Sequence, residues 1–145
     1  MSQQTQSFEN HAKMVPGYHQ LATALLVLPT LYFAWTAITD FSLGALATVV
    51  FAFGVIVAAL YARLFPLGVQ DRLIRLEEQL RLARMLPEQL RGRVDEITTD
   101  QLIGLRFASD DELPKLVGRV LAGELKDRKS IKAAIQNWRP DHQRI

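Results

Sequence analysis

The sequence contains no cysteine, and this absence excludes disulfide bonds, thiolate metal sites, iron–sulfur clusters and cysteine nucleophiles. It has only three histidines, and none of them has metal-ligand spacing with another. A glycine-rich phosphate loop, a metalloprotease helix motif and a nucleophile elbow are also missing. A net charge of +2 calls for neither nucleic acid nor an acidic substrate. We therefore expect a protein that is not an enzyme and has no cofactor and no metal.

Charged residues are missing from two long stretches of the chain. No Lys, Arg, Asp or Glu lies between Lys13 and Asp40, and none lies between Asp40 and Arg63. A helix over residues 41–62 would be about 33 Å long at 1.5 Å per residue. The hydrocarbon core of a bilayer is about 30 Å thick, so each stretch is long enough to cross it once.

These stretches predict a transmembrane helical hairpin with Asp40 in its turn. Residues 1–20 lack a basic region followed by a cleavable small-residue site, so we expect the first stretch to remain as an uncleaved signal-anchor. The loop at Asp40 has no Lys or Arg, whereas residues 63–84 contain five arginines. The positive-inside rule then predicts a membrane protein with both termini in the cytoplasm. The predicted organisation is a polar segment 1–20, a hairpin 21–62 (about 21–38 and 43–62), a membrane-exit break 63–68 and a cytoplasmic helical domain 69–145.

The second crossing carries small residues at four-residue spacing, in two stripes. Small residues allow two helix backbones to approach closely within a membrane. One stripe is expected to receive the first helix and the other a second molecule, with ordinary membrane-helix composition as the alternative. The stripes are Gly44, Thr48 and Ala52, and Gly54, Ala58 and Ala62.

An amphipathic helix is predicted from Val69 to about Leu86. Its apolar residues follow the 4, 3, 4, 3 spacing of a heptad, and an i, i+4 pair of Glu77 with Arg81 supports the helix. Two heptads are fewer than the three to four that identify a coiled coil from sequence. The seam therefore packs either within the chain, on its later helices, or against another chain. The seam is Val69, Leu73, Leu76, Leu80 and Ala83.

Several short amphipathic helices with no strand pattern follow, which predicts an all-α fold. Residues Thr98 and Gln101 match a capping box, in which each side chain bonds the other residue's backbone N–H. The last helix is expected to end near Trp138, just before Pro140. The predicted helix starts are Pro87, Thr98, Asp110 or Asp111, and Asp127 or Ser130.

A patch of mixed charge is predicted on the surface of the helical domain. Arg106 and Phe107 precede three acids, and both charge signs beside an aromatic ring are typical of a protein-docking surface. Consecutive carboxylates at a helix start do not converge, so we expect them to cap the helix rather than bind a metal. The alternative for Arg106 is a structural ion pair. The candidate partner-binding residues are Arg106, Phe107, Asp110, Asp111 and Glu112.

Four stretches of the sequence resemble an uncharacterised bacterial two-helix membrane-protein family of unknown function. The resemblance covers nearly the whole chain and implies two membrane helices followed by a helical cytoplasmic domain. It implies no activity, cofactor or catalytic residue. The stretches are 8–11, 70–77, 105–114 and 131–139.

Together these features predict a non-catalytic integral membrane protein. We expect an accessory or scaffold subunit of a membrane assembly, which binds a partner through its cytoplasmic helical domain. The alternative is a self-assembling protein that shapes membranes or binds anionic lipid through the basic helix 69–86. The expected partners are the lipid bilayer and either another protein or a second copy, with no nucleic acid and no small-molecule substrate.

Overall fold

The computed structural model describes residues 7–8 and 15–141, and every regular element among them is a helix. The predicted all-α class is therefore confirmed for this part of the chain. Most of the predicted polar segment 1–20, and most of the stretch 8–11 that carries the family resemblance, lie outside the described residues. In chain order the elements are a π-helical turn Gly17–Ala22, α1 Thr23–Thr39, α2 Leu43–Met85, α3 Glu88–Arg91, a 3₁₀ turn Val94–Glu96, α4 Thr99–Leu105, α5 Leu113–Leu121 and α6 Arg128–Ala134.

The chain divides into two compact units, one made of residues 14–67 and the other containing the chain from Gly68 onward. In the first unit, a turn of three residues joins α1 to α2. Ser42 caps α2, because its hydroxyl accepts a hydrogen bond from the Ala45 N–H at 3.0 Å. The Tyr18 hydroxyl donates a hydrogen bond to the carbonyl oxygen of Ala59 at 3.2 Å. This bond connects the start of the first helical stretch to a turn of α2 that is distant in sequence.

Two helical segments are long and apolar enough to cross a membrane. The segment Gly17–Thr39 and the helix Leu43–Met85 contain 18-residue windows with mean hydropathies of 1.8 and 2.5. No residue of either window is buried in the folded chain. Large apolar side chains, including Trp35 and Phe51, therefore remain exposed. A core helix of a soluble protein would instead bury most of this surface.

The membrane-exit break predicted at 63–68 is not present, because α2 continues through Pro66 to Met85 as one helix. Proline lacks the N–H that would bond to the carbonyl oxygen of Ala62, so one helical hydrogen bond is lost there. The bonds on both sides of this position keep a helix of 43 residues continuous. The helices predicted at 43–62 and 69–86 are thus parts of a single element.

The second unit is built around α4, α5 and α6, which pack on one another. Gly104 allows α4 to approach α6, since a Cβ atom there would lie only 3.0 Å from the Cβ of Ile131. Gly123 follows α5 with a φ of 78°, the left-handed conformation that ends helices and favours glycine. The largest fully buried side chains of this core are Leu82, Leu86, Leu102, Leu105, Phe107, Leu113, Val117 and Ile131.

Two of the predicted helix starts are confirmed as capping boxes. Thr98 caps α4 with Gln101, and Asp127 caps α6 with Ser130. The prediction for α5 was wrong, because its N-cap is Glu112, with no side-chain cap hydrogen bond. The last helix ends at Ala134 rather than near Trp138, and Trp138 instead forms an isolated antiparallel bridge with Ala108.

Candidate functional site

Beyond Gly68, α2 has an inner face and an outer face. Its buried residues are Ile74, Glu78 and Leu82, which define the inner face. The seam lies on the outer face, where Val69 is 66% exposed and Leu76 is 55% exposed. The remaining seam residues are also exposed. The alternative in which the seam packs on the chain's own later helices is therefore wrong.

The inner face is the part of α2 that sequence reasoning missed. Ile74 and Leu82, with Leu86 just beyond the end of the helix, recur at multiples of four residues, but Glu78 interrupts the row. A charged residue in that position makes the row look like a solvated face. Glu78 nevertheless belongs to the interior, because cationic side chains surround its carboxylate.

Arg81 connects the inner face of α2 to the loop after α4. Its guanidinium donates to the Asp110 carboxylate at 2.6 and 2.9 Å and to the carbonyl oxygen of Ala108 at 2.7 Å. It also bonds the Glu78 carboxylate at 3.1 Å. The pair that the sequence predicted, Glu77 with Arg81, does not form, because Arg81 turns inward.

The environment of Glu78 perturbs its acidity. Burial raises the pKa of Glu78 above its ordinary value, and the charge and hydrogen bond of Arg81 offset part of this effect. The guanidinium of Arg139 lies 3.9 Å from the other carboxylate oxygen and acts in the same direction as Arg81. Glu78 lies in the second unit, well beyond the apolar stretch of α2.

Arg106 and Phe107 are both interior residues, so the prediction that they form a surface docking patch was wrong. Their exposed fractions are 7% and 1%. The Arg106 guanidinium stacks 4.4 Å from the centre of the Phe107 ring and lies 3.5 Å from the Asp141 carboxylate. The alternative expectation for Arg106, a structural ion pair, is the one that the structure supports.

These two residues are buried because a later segment of the chain covers them. The backbone N–H of Arg139 donates to the carbonyl oxygen of Phe107 at 2.7 Å, and that of Ser109 donates to the carbonyl oxygen of Asn137 at 3.0 Å. The ring of Trp138 lies 5.1 Å from the ring of Phe107. No local pattern around Arg106 indicates this cover, which comes from about thirty residues further along the chain.

Two of the three acids in the predicted patch bond to residues that are distant in the sequence. Asp110 binds Arg81, as described above. Glu112 accepts hydrogen bonds from the backbone N–H groups of Gln136 and Asn137 at 3.1 and 3.2 Å. Asp111 is exposed to solvent. The patch is therefore mainly a structural junction.

A groove of about 800 Å³ lies between α2 and the carboxyl-terminal segment of the same unit. Its charged lining is balanced, so it favours neither anions nor cations, and several of its ions already pair with each other. Among the described residues, no group of three or more His, Asp or Glu side chains is arranged to hold a metal ion. The charged lining residues are Arg81, Arg84, Arg106, Arg139, Glu77, Glu78, Asp110 and Asp141.

The small-residue stripes of α2 are almost entirely on its exposed face. In the first unit, a Cβ atom at Gly54 would meet no atom within 4 Å, and one at Gly44 would meet only Ser42 at 3.8 Å. The Thr48 hydroxyl donates a hydrogen bond to the carbonyl oxygen of Gly44 within the helix. Ala52 is the exception, since it is half-buried. The half-buried positions of α2 before Val57 are Ala45, Val49, Ala52 and Ile56, and Gly44, Thr48, Gly54, Ala58 and Ala62 are exposed.

Comparison with known proteins gives a family but no activity. A family model described as a family of unknown function (DUF6526) matches residues 1–145. The chain belongs to this family. No curated protein and no solved structure matches it. Membership in DUF6526 confirms the resemblance to an uncharacterised family and assigns no residue a role.

The structure of this DUF6526 chain thus distinguishes residues that bond within the fold from residues that are exposed and could bind a partner. Arg81, Arg106 and Glu112 are engaged within the fold. The seam is apolar, lies on a regular helix and is exposed at all five of its residues. It is the strongest candidate for a binding surface.

Proposed function

We propose that the protein is a non-catalytic integral membrane protein of the bacterial cytoplasmic membrane. Its hairpin 21–62 crosses the membrane twice, with both termini in the cytoplasm. Its helical domain acts as a scaffold or accessory subunit that binds protein through the seam. The observation that carries this proposal is the exposure of the seam on a helix whose opposite face is buried.

The membrane part of the proposal is supported by apolar surface that the folded chain leaves uncovered. Ten large apolar residues of the second crossing contribute about −0.3 to −0.6 kcal/mol each to insertion, which totals about −3 to −6 kcal/mol. No charged residue between Asp40 and Arg63 opposes this. The arginines that follow Ala62 favour a cytoplasmic location for the chain beyond it.

The binding part of the proposal is supported by the form of the seam. Aligned apolar side chains on an exposed helix are typical of surfaces that receive another helix. A partner that covers such a row gains about 25 cal/mol of binding free energy for each Å² of apolar surface removed from water. The groove beside it is a weaker candidate, because its ion pairs already satisfy many of its charged groups.

A second candidate function is binding to anionic lipid. Arg72, Arg75 and Arg84 are exposed on α2 beyond the apolar stretch. Each basic residue near an anionic surface contributes about 1 kcal/mol to binding. The acidic side chains of Asp71 and Glu77 interrupt this charge and weaken it.

The test compares Leu76→Asp with Arg75→Asp in the full-length chain. Both residues are exposed, so both variants are expected to fold and to stay in the membrane fraction after alkaline washing. An unpaired carboxylate buried in an interface costs several kcal/mol, and about 1.4 kcal/mol is a tenfold change in affinity. Leu76→Asp should therefore lower the recovery of bound protein in mild detergent at least about tenfold, while Arg75→Asp retains it.

Three results would count against the proposal. Equal recovery with both variants would remove the seam as the binding surface. Salt-sensitive binding to anionic liposomes that Arg75→Asp weakens and Leu76→Asp does not would favour the lipid-binding function. Release of the unmodified protein by alkaline washing would contradict the membrane hairpin itself.

A further inference from the structure

We propose that the occupant of the seam is a second copy of this chain, paired in parallel and in register as a short two-stranded coiled coil. The inference rests on the proposed function for the seam's role as a binding surface and for the shared membrane. It goes further by naming the partner, its direction and the charge contacts that select it.

The seam residues occupy the two core positions of a heptad. Successive steps of four, three, four and three residues alternate d to a and a to d. The helix is unbroken over this range, so the residues lie along one line of its surface. Leu73 and Leu80 are at a positions, and Val69, Leu76 and Ala83 are at d positions.

The charges beside the seam favour an identical partner. Arg72 occupies the g position before Leu73, and Glu77 occupies the e position after Leu76. In a parallel, in-register pair, a g residue approaches the e residue of the next heptad on the other chain. Arg72 of one copy then meets Glu77 of the other, and symmetry forms this contact twice.

Both charges are available for such contacts. Arg72 and Glu77 are exposed, and neither forms an ion pair with any residue of the described chain. Glu77 is available because Arg81, its expected helical partner, points inward to Glu78 and Asp110. The inward ion pairs therefore leave Glu77, at the edge of the seam, without an ion pair to any described residue.

An antiparallel pair would lose this complementarity. Antiparallel helices bring g beside g and e beside e. In the register that faces Leu73 with Leu76, Arg72 would lie near Gln79 and Glu77 near Gln70. No ion pair forms between the copies in that arrangement, so the charges select the parallel one.

Insertion in a shared membrane compensates for the weak association expected of a seam of only two heptads. Two heptads associate weakly between molecules in water, because pairing must overcome the entropy of bringing them together. Two chains inserted in one membrane share an orientation and are held at a high effective concentration. The same insertion makes their segments run in the same chain direction after the crossing.

Cysteine cross-linking in native membranes tests direction and register, and the absence of native cysteine removes background. Leu73→Cys and Leu80→Cys, each alone in the full-length chain, should both give a disulfide-linked dimer. Facing core positions in register lie within the separation of about 4.4–6.8 Å between Cα atoms that a disulfide requires. Arg75→Cys, exposed on another face, should stay monomeric under the same oxidant.

Charge exchange tests the selecting contacts. Arg72→Glu and Glu77→Arg each bring like charges together, so each should weaken dimerisation in lipid bilayers about tenfold, measured by energy transfer between labelled copies. The double variant restores opposite charges and should recover most of the loss. Arg75→Glu, which changes the charge equally but outside the seam, should leave dimerisation unchanged.

The outcomes separate this inference from the proposed function. A chain that is monomeric in bilayers, with no cross-link at Leu73 or Leu80, overturns the second-copy inference. The proposed function survives that result if Leu76→Asp still lowers recovery of a different protein. A cross-link that forms only when Leu73→Cys is mixed with Leu76→Cys, the pair that faces in the antiparallel register, overturns the parallel direction. A dimer unaffected by every charge variant overturns the assigned register, and alkaline release of the chain overturns the membrane function.

Discussion

Arg81 affects both faces of α2: the inner face, which packs on the loop after α4, and the outer face, which carries the seam. A buried ion pair by itself adds little to stability, because desolvation of the charges opposes their attraction. Arg81 is different, since it also bonds the Ala108 carbonyl oxygen and thereby fixes the loop after α4 against α2. Because it points inward, Arg81 does not pair with Glu77, which forms no ion pair within the part of the chain that the structure describes. The structural junction and the candidate interface are therefore linked through one residue.

Glu78 gives the first prediction, which concerns pH. Its pKa in the folded protein is raised above the ordinary value of 4.5, mainly by burial. Its contribution to stability is therefore fully present below that value and is lost as pH rises through the folded-state pKa. We expect the difference in free energy of unfolding between the wild type and Glu78→Gln to fall over this window and to level off above it.

Trp138 fluorescence during denaturant unfolding measures this difference in detergent, with Trp35→Phe removing the other tryptophan. The ring of Trp138 packs on Phe107 and therefore reports on the core. Glu77→Gln, one residue away on the exposed face, controls for the loss of a helical carboxylate. A difference that rises with pH over the same window would show that the arginines around Glu78 outweigh its burial.

Two other acids act in the opposite direction, and the comparison cancels them. A hydrogen bond from Arg93 lowers the pKa of Glu96, and bonds from Ser130 lower the pKa of Asp127. Both groups contribute stability above their ordinary pKa values and lose it as pH falls. Because they are unchanged in Glu78→Gln, their effects do not enter the difference.

At the scale of elements, features set by neighbouring residues were predictable and features set by distant ones were not. The capping box at Thr98 depends on residues three positions apart and was predicted, and Asp127 was one of the two predicted starts of α6. The burial of Arg106 depends on a segment about thirty residues later, and its exposure was predicted wrongly. Local spacing cannot reveal which distant segment covers a side chain.

The helix α2 shows the same distinction. Heptad spacing identified the seam, but spacing alone left open whether the seam packs within the chain. The inner face was missed, because Glu78 interrupts its apolar row and is compensated by Arg81 and Arg139. Pro66 suggested a break, yet one missing hydrogen bond does not end a helix that continues on both sides.

The second prediction concerns the contact between α4 and α6. In Gly104→Ala, the new methyl group would lie 3.0 Å from the Cβ of Ile131 and 3.2 Å from the Cα of Arg128. Overpacking of this kind typically costs about 1–3 kcal/mol, because backbone atoms must move. We expect Gly104→Ala to lower the free energy of unfolding of the helical domain by that amount, measured by denaturant titration of the full-length chain.

Gly118→Ala is the matched control for this change. Gly118 lies within α5, and a Cβ atom there would meet nothing within 4 Å. Alanine in a helix interior is favoured over glycine by about 0.5–1 kcal/mol, so this variant should be more stable than the wild type. Equal and small effects of both variants would mean that α6 can move away from α4 at little cost.

At the scale of the whole molecule, the proposed topology predicts opposite accessibility of two exposed positions. Ser42 lies in the turn that the hairpin would place outside the cell, and Ala122 lies in the proposed cytoplasmic domain. In intact spheroplasts, a membrane-impermeant thiol reagent should label Ser42→Cys and leave Ala122→Cys unlabelled. Disrupting the membrane should then make Ala122→Cys fully reactive.

The charge distribution supports this expectation, because the turn has Asp40 but no basic residue and five arginines follow within residues 63–84. Because the sequence contains no cysteine, the unmodified chain should not react with the thiol reagent and serves as the negative control. Labelling of Ala122→Cys alone in intact spheroplasts would reverse the orientation. Labelling of both positions would mean that α2 does not carry the chain across the membrane, and the seam would then lie in a different compartment from its proposed cytoplasmic partner.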